Sequence, residues 1–283
     1  MPGSKLLTRI HEISHKAGFQ DIGIAFYDYE TSLRFSYHGD RFFHAASTFK
    51  AGILLALFKA VEEGKVRLDD HLQIRNRFRS VVDGSTFRIE RERDGDSSVH
   101  RAIGGSKSIR QLGWVMVTRS SNLATNLLLD YIGLDYVRKF LADEKIDGIE
   151  IKRGVEDQLA HQQGINNEAT AEGLVSLFSL LLEDDFLRPE LREEGLSILL
   201  QQEFRSMIPA RLPEGTKVAH KTGEISTHCH DAGIVFVPER KPYVLAILVE
   251  HGPGANRRNR AIAEISSAIH RYLTGHREDK HAP

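Results

Sequence analysis

Strand-forming patterns occupy the two ends of this chain of 283 residues, and helical patterns fill its middle. The alternating or β-branched runs lie at Asp21–Tyr27, Leu33–Tyr37, Lys217–Lys221, Ala232–Val237 and Tyr243–Glu250. If these runs pair with one another, the fold must bring the two ends of the chain together in one layer. We therefore predict an α+β fold, within the broad α/β class, built on one antiparallel five-stranded sheet with flanking helices and a helical lobe.

Apolar residues recur at helical spacing in the segments between and around these runs. The predicted helices cover residues 4–17, 48–63, 107–119, 121–131, 134–142, 168–183, 190–202 and 255–273. We predict that residues 1–45 and 205–283 form the sheet-containing lobe and that residues 46–204 form the helical lobe. A cleft between two such lobes is a usual place for small-molecule chemistry.

Two segments show no clear period. Residues 76–105 are crowded with Arg, Glu, Asp, Gly and Ser, which predicts a solvated excursion with a small hairpin around Thr86–Ile89. Residues 145–167 are predicted to form a loop.

Composition restricts the kinds of partner and location. Lys plus Arg total 38 and Asp plus Glu total 39, so a general nucleic-acid or membrane-surface role has no electrostatic support. No apolar run is long enough to span a membrane. The N-terminus, MPGSKLLTRIHEISHK, has no apolar signal core, which predicts a cytoplasmic protein unless a signal peptide for periplasmic or secreted export has been removed. The single cysteine, Cys229, excludes an internal disulfide and is predicted to be a small, partly buried residue.

The first of three motifs that each occur once is Ser47-Thr48-Phe49-Lys50. Its serine and lysine are three residues apart at the start of the most apolar predicted helix, so they share one face. A serine hydroxyl needs a neighbouring base to act as a nucleophile. A neutral lysine serves as that base when burial and a nearby cation lower its pKa from about 10.4.

The other two motifs are Ser120-Ser121-Asn122 and Lys221-Thr222-Gly223. The former lies between two predicted helices and by itself indicates only a helix N-cap. The latter is predicted to end a strand, where its lysine suits a substrate carboxylate and its glycine keeps the backbone clear. The three motifs, in this order and on these elements, are typical of serine acyl transfer.

With these motifs the sequence resembles the class A β-lactamases and related penicillin-binding serine hydrolases over most of its length. The resemblance extends through Ser120–Leu129, through Ile208–Gly215 and on to His220, and through His230–Val235. It implies a two-lobe serine hydrolase that acts on a small-molecule substrate without a cofactor or metal.

The resemblance also implies a role for each matching residue. Ser47 attacks the amide carbonyl, Lys50 helps to remove the serine proton, and Ser120 relays a proton to the leaving nitrogen. The residues implied in substrate binding are Asn122 for the side-chain amide, Lys221 and Thr222 for the carboxylate, Gly223, and Glu224, whose backbone N–H forms the oxyanion hole with that of Ser47.

The match is weaker in two places. Glu156 and Leu159 fit the family's Glu-x-x-Leu-Asn pattern for activating the deacylating water, but Ala160 stands at the asparagine position. Glu156 is therefore the candidate base, and Asp157 is the second candidate. Ser121 stands where the family has the aspartate of Ser-Asp-Asn. These departures indicate a relative with weak or different activity.

Four functions remain open on the sequence. They are a β-lactamase, a D-alanyl peptidase or esterase, a penicillin-binding or sensing module that stays acylated, and a non-catalytic scaffold, which the three intact motifs disfavour. His228-Cys229-His230 lacks the spacing of a zinc site, so no metal site is predicted.

Overall fold

Five strands form the central sheet of the computed structural model, which describes residues 4–252, 255 and 257–275. The strands of the described residues are β1 (Phe19–Asp28), β2 (Leu33–Tyr37), β3 (Phe43–His44), β4 (His71–Gln73), β5 (Phe78–Arg79), β6 (Thr86–Phe87), β7 (Ser106–Ser108), β8 (Ile149–Glu150), β9 (Glu168–Ala169), β10 (Lys217–Glu224), β11 (His228–Phe236) and β12 (Tyr243–His251). The central sheet has the order β10-β11-β12-β1-β2, and every neighbouring pair is antiparallel. This confirms the predicted five-stranded antiparallel sheet, and β10 is one of its edges.

The longer helices follow the predicted pattern with shifted ends. The helices of the described residues are α1 (Ser4–Ala17), α2 (Lys50–Glu62), α3 (Ser98–Arg101), α4 (Ile109–Thr118), α5 (Asn122–Ile132), α6 (Leu134–Asp143), α7 (Gln158–Gln162), α8 (Ala171–Ser179), α9 (Pro189–Leu200) and α10 (Arg258–Thr274), with short 3-10 turns at Arg91–Arg93, Leu180–Leu182 and Ile208–Arg211. The short helices α3 and α7 lie in segments where no helix was predicted. None of the helices in the described ranges is long and apolar enough to cross a bilayer. Residues 1–3 of the N-terminal segment and residue 256 of the last predicted helix lie outside the described residues.

The two faces of the sheet pack against different helices because side chains alternate along each strand. Ile24 and Ile247 point into a cluster with α1 and α10, whereas Ala25 and Leu248 point into the larger cluster with α2 and α8. The larger cluster also buries α4, α5 and α9. The sheet therefore lies between a two-helix layer and a thicker helical body.

Two motif positions differ from the prediction. The Lys-Thr-Gly motif does not end its strand: β10 continues to Glu224, which pairs with Cys229 of β11. The reversal lies after the motif, at residues 225–227, so all three motif residues are held by strand pairing. Helix α2 begins at Lys50 rather than at Thr48, and Ser47 lies in the preceding turn, where its carbonyl accepts the Lys50 N–H at 3.3 Å.

The prediction that residues 76–105 form a solvated excursion was wrong in part. Phe78, Ile89 and Val99 are buried in the main core, and β5 pairs with β6, so the hairpin spans 78–87 rather than 86–89. These three apolar residues are too far apart in the sequence to show a helical or strand periodicity. In the folded chain each of them packs against the helical body.

Two further segments were each predicted to have one kind of structure, and each contains more than one. The predicted loop 145–167 contains β8 and α7, and the predicted helix 168–183 is strand β9 followed by α8 and a 3-10 turn. Helix α8 starts late because the side chain of Thr170 caps it by accepting the N–H of Gly173 at 2.9 Å.

The side chain of Cys229 is fully buried, whereas the sequence predicted that it would be partly buried.

Candidate active site

Ser47 lies in the turn before α2, directly against the edge strand β10. A Cβ added to Gly223 would stand 2.8 Å from the backbone nitrogen of Ser47, so only glycine permits this approach. The residue before the serine, Ala46, has a φ of +48°, a left-handed conformation that costs energy for a residue with a side chain. The turn that presents the serine is therefore held by packing against β10.

Lys50 occupies the first turn of α2 and is fully buried. Its amine donates to the carbonyl of Ser120 at 2.7 Å, to Asn122 Oδ1 at 2.7 Å and to Ser120 Oγ at 3.2 Å. Ser47 Oγ is not among the hydrogen-bond partners of this amine in the described part of the chain. The first and second motifs therefore meet through the lysine rather than through Ser47.

Lys221 approaches the same hydroxyl from β10. It too is fully buried, and its amine donates to Ser120 Oγ at 3.1 Å and to the carbonyl of Thr222 at 2.8 Å. Ser120 has a φ of +59°, which turns its side chain between the two lysines. All three motifs therefore converge on one hydroxyl group.

Burial controls the ionisation of both lysines. It lowers the pKa of Lys50 to about 7, while the carboxylates of Asp94 and Glu156 act in the opposite direction. Burial and the positive charge of Lys50 lower the pKa of Lys221 well below its ordinary value, and Asp231 opposes the shift. A lysine with a pKa near neutrality exists in part as a free amine, which is the form that accepts a proton.

Glu156 lies beside this centre in the loop before α7. Its φ is +62°, and its carboxylate forms an ion pair with Arg93 at 3.0 Å and accepts Gln158 Nε2 at 3.3 Å. Asp157, the second candidate base, instead caps α7 by accepting the N–H of Ala160 at 3.1 Å and is buried. Of the two carboxylates, Glu156 is the one whose charge acts on Lys50.

The loop that carries Glu156 is held by a side chain that the sequence reasoning missed. Asn126 Nδ2 donates to the carbonyl of Val155 at 2.9 Å, and its Oδ1 accepts the N–H of Val155 at 2.8 Å. Asn126 lies one helical turn after Asn122 on α5, so the shared face was a signal in the sequence. A second missed residue, Asp94, contacts the N-terminus of α5.

The end of β10 carries a further ion pair. The exposed carboxylate of Glu224 accepts Arg258 at 2.9 Å, and Arg258 also contacts His251 Nε2 at 2.7 Å. Arg258 therefore adds a cation beyond the Lys-Thr-Gly motif that the sequence reasoning did not identify. In the ranges that the structure describes, no three His, Cys, Asp or Glu side chains are grouped to hold a metal ion.

Several known proteins are similar to this chain in sequence. The model of the β-lactamase enzyme family matches residues 5–273. The extended-spectrum β-lactamase PER-1 of Pseudomonas aeruginosa is 25% identical over 81% of this chain and 75% of its own length. The β-lactamase ROB-1 of Haemophilus influenzae is 27% identical over 80% of this chain and 71% of its own length.

Solved structures agree with these relatives. A mutant of PBP-A, captured as an acyl-enzyme complex with penicillin G, is 25% identical with a TM-score of 0.80, over 95% of this chain and 96% of that one. An ancestral class A β-lactamase is 25% identical with a TM-score of 0.78, over 93% of this chain and 98% of that one. The family match over nearly the whole chain confirms the resemblance seen in the motifs, and the protein belongs to the β-lactamase enzyme family.

Proposed function

We propose that this protein is a serine β-lactamase, which opens the β-lactam amide through an acyl-enzyme at Ser47. One observation carries the proposal: the buried amines of Lys50 and Lys221 both donate to the hydroxyl of Ser120, at 3.2 and 3.1 Å. Burying two lysine amines around one hydroxyl is costly to the fold whether they are charged or have lost a proton, so their presence indicates proton transfer rather than structural packing. The family of the chain supplies the substrate class.

Acylation uses the lysine of the first motif as the base. The neutral amine of Lys50 accepts the proton of Ser47 while the serine oxygen bonds to the lactam carbonyl carbon. The carbonyl oxygen becomes an oxyanion, which accepts the backbone N–H groups of Ser47 and Glu224. When the C–N bond breaks, Ser120 gives its proton to the leaving nitrogen, and the Lys50 ammonium returns a proton to Ser120.

Substrate binding uses the remaining motif residues. Lys221 and Thr222 hold the substrate carboxylate, and Gly223 keeps the backbone of β10 clear of the reacting carbonyl. Asn122 binds the side-chain amide: its Oδ1 accepts Lys50 and its Nδ2 donates one hydrogen to the Arg93 carbonyl at 3.0 Å. The second hydrogen of Nδ2 remains for the substrate.

Deacylation depends on Glu156. Its carboxylate takes a proton from water while the water oxygen bonds to the ester carbon, and the bond from that carbon to Ser47 Oγ then breaks. The proton held by Glu156 passes through the Lys50 amine to Ser47, which restores the starting protonation of all three groups. The ion pair with Arg93 competes for the same carboxylate. Ala160, which is buried, offers no side-chain hydrogen bond to help hold the water.

These two features favour a second candidate, a penicillin-binding module that acylates and turns over slowly. A D-alanyl peptidase or esterase would be acylated at the same serine by a different substrate. These three functions share acylation of Ser47. They differ in which ester forms on the serine and in how long that ester lasts.

Intact-protein mass spectrometry after mixing with penicillin G distinguishes them, with Ser47→Ala as the control. A β-lactamase gives an adduct of the drug's mass that appears and clears, leaving hydrolysed penicillin. A persistent adduct supports the binding module, and no adduct moves the search to esters and D-alanyl peptides. An adduct on the Ser47→Ala protein would overturn the assignment of the nucleophile.

A further inference from the structure

The carboxylate of Asp94 is buried against the second motif, in the segment predicted to be solvated. Its side chain has no exposed surface. Asp94 Oδ1 accepts the N–H of Asn122 at 2.8 Å, and Oδ2 accepts the N–H of Leu123 at 3.0 Å. These are unpaired donors of the first turn of α5, which a carboxylate stabilises through both hydrogen bonding and the helix dipole.

The N–H of Asp96 also donates to Asp94 Oδ1, at 3.2 Å, and two side chains contact Oδ2. Ser121 Oγ donates to Asp94 Oδ2 at 3.3 Å and accepts the N–H of Ala124 at 3.2 Å. His100 Nε2 lies 3.0 Å from the same Oδ2, and its side chain is 7% exposed. A buried carboxylate with this many donors is held in one position.

The contacts explain why residue 121 is a serine. A hydroxyl there donates to Asp94, whereas an aspartate would set a second carboxylate within hydrogen-bond distance of the first, and the two would repel. The related pattern Ser-Asp-Asn has its acid within the motif. In this chain the acid lies instead on a separate segment, 27 residues before Ser121.

The same segment packs directly on the reacting groups. A Cβ added to Gly95 would lie 2.2 Å from the carbonyl of Arg119 and 3.2 Å from that of Ser120. The carbonyl of Arg93 accepts Asn122 Nδ2 at 3.0 Å. The segment from Arg93 to Gly95 therefore packs against both residues that accept hydrogen bonds from the Lys50 amine, Ser120 and Asn122.

We propose that Asp94 is a positioning residue of the active site, whose carboxylate fixes Ser120 and Asn122 for the proton transfers at Lys50. It acts through Asn122 and Ser121 and does not touch the substrate. The inference rests on the proposed acyl-enzyme function and adds to it the residue that replaces the motif's own acid.

The test compares Asp94→Asn, Ser121→Asp and the double variant by stopped-flow acylation with a chromogenic cephalosporin. Each single change is expected to slow acylation about tenfold or more, since small misplacements of reacting groups have effects of this size. The double variant, with one carboxylate again at the helix start, is expected to be faster than the product of the two single losses. Asp96→Asn, in the same segment but bonded to Ser98 and Arg119, is the control and should remain within about twofold.

A pH profile separates positioning from simple loss of structure. The charged groups around Lys50 are Asp94, Glu156 and, from β10, Lys221. Removing the Asp94 charge lowers the pKa of Lys50 further, so the acid limb of acylation should move to lower pH in Asp94→Asn. A merely unfolded fraction would lower the rate at every pH and leave the limb in place.

Amide NMR signals give a readout that needs no substrate. The N–H signals of Asn122 and Leu123 should move upfield in Asp94→Asn and remain in place in Asp96→Asn. Wild-type acylation rate together with unmoved amide signals would overturn the role of Asp94. If the wild-type protein forms no acyl-enzyme, the proposed function fails, and displaced amide signals still support the positioning of the motif while unmoved ones refute it.

Discussion

At the scale of single residues, the proposed chemistry centres on the hydroxyl of Ser120. Two buried lysines donate to it, and one of them also bonds Asn122. Ser120, Ala46 and Glu156 all have positive φ values, between +48° and +62°. Such strained residues persist only where surrounding contacts hold them, and here all three flank the proposed reaction path.

The ionisation of Lys50 predicts how acylation depends on pH. Because burial lowers its pKa to about 7 and the neutral amine is the base, the acylation rate should rise with pH through about 7 and then level off. Stopped-flow measurement of the acylation rate with penicillin G at a series of pH values tests this rise, which is the acid limb of the profile. Lys50→Ala, which has no amine, should be slower by about 100-fold or more and should lack the limb. A flat wild-type profile across neutrality would exclude Lys50 as the base.

Glu156 predicts a separation of the two half-reactions. Glu156→Gln should still acylate, while release of the acyl group slows about 100-fold or more, because the amide cannot take a proton from water. The adduct should then accumulate in the mass spectrum. The matched variant Arg93→Ala removes the competing ion pair and should release the acyl group no more slowly than wild type. Unchanged turnover in Glu156→Gln would make Glu156 an ordinary surface carboxylate.

At the scale of elements, the edge strand β10 and the turn before α2 form the site together. Strand pairing holds Lys221, Thr222 and Gly223 in register against β11, and the glycine lets the backbone of β10 lie on that of Ser47. The site is therefore assembled from an edge strand, a turn and the start of α5, and these three elements are far apart in the sequence.

This contact predicts the effect of one methyl group. In Gly223→Ala the new Cβ would lie 2.8 Å from Ser47 N and 3.0 Å from Thr48 N, so the turn must move. Acylation should fall about 100-fold or more, and the protein should lose about 1–3 kcal/mol of unfolding free energy. Gly195→Ala in α9, whose nearest neighbour would be Leu181 at 3.5 Å, is the control and should keep full activity. Equal activity of the two variants would contradict this close approach.

At the scale of the whole molecule, strands from both ends of the chain form one sheet between two helical layers. A buried pair fastens one edge of this sheet to the segment that precedes it: Asp231 Oδ1 lies 2.8 Å from His220 Nδ1, and Asp231 Oδ2 accepts the N–H of Ile208 at 2.9 Å. Both side chains are completely inaccessible. The pair links β10 and β11 to the 3-10 turn that packs on α10.

Loss of this acid should destabilise the whole fold. Asp231→Ala leaves a buried histidine and a buried N–H without their partner, so the unfolding free energy should fall by about 3 kcal/mol or more. Urea denaturation measures the change. Asp135→Ala is the control: its carboxylate is 97% exposed in an ion pair with Arg138, and the expected change is within about 0.5 kcal/mol. A similar small change in Asp231→Ala would contradict a structural role for the pair.

Much of the site was predictable because it is written in local motifs. Three short motifs contain Ser47, Lys50, Ser120, Asn122 and Lys221, and the family resemblance implied the role of each residue. The structure brings the two lysines into contact with Ser120 and Asn122. The sheet was predictable because alternating side chains mark each strand independently of its partners. The lobe boundaries stay a prediction.

Other features had no local signal. Asp94 is one acid among many in a charged segment, and only its contact with α5 distinguishes it. The sequence ranked Glu156 before Asp157 only by resemblance to a family pattern, whereas the structure shows that Asp157 caps α7 and that the charge of Glu156 acts on Lys50.

The sequence by itself determined the five strands of the central sheet, the three motifs and the family, because periodicity and motif spacing act over a few residues. The tertiary structure alone decided which acid contacts the start of α5 and which caps α7, how far the lysines' pKa values fall, and how residues 76–105 pack. Burial, electrostatic coupling and hydrogen bonding between distant segments depend on distances that exist only after the chain has folded.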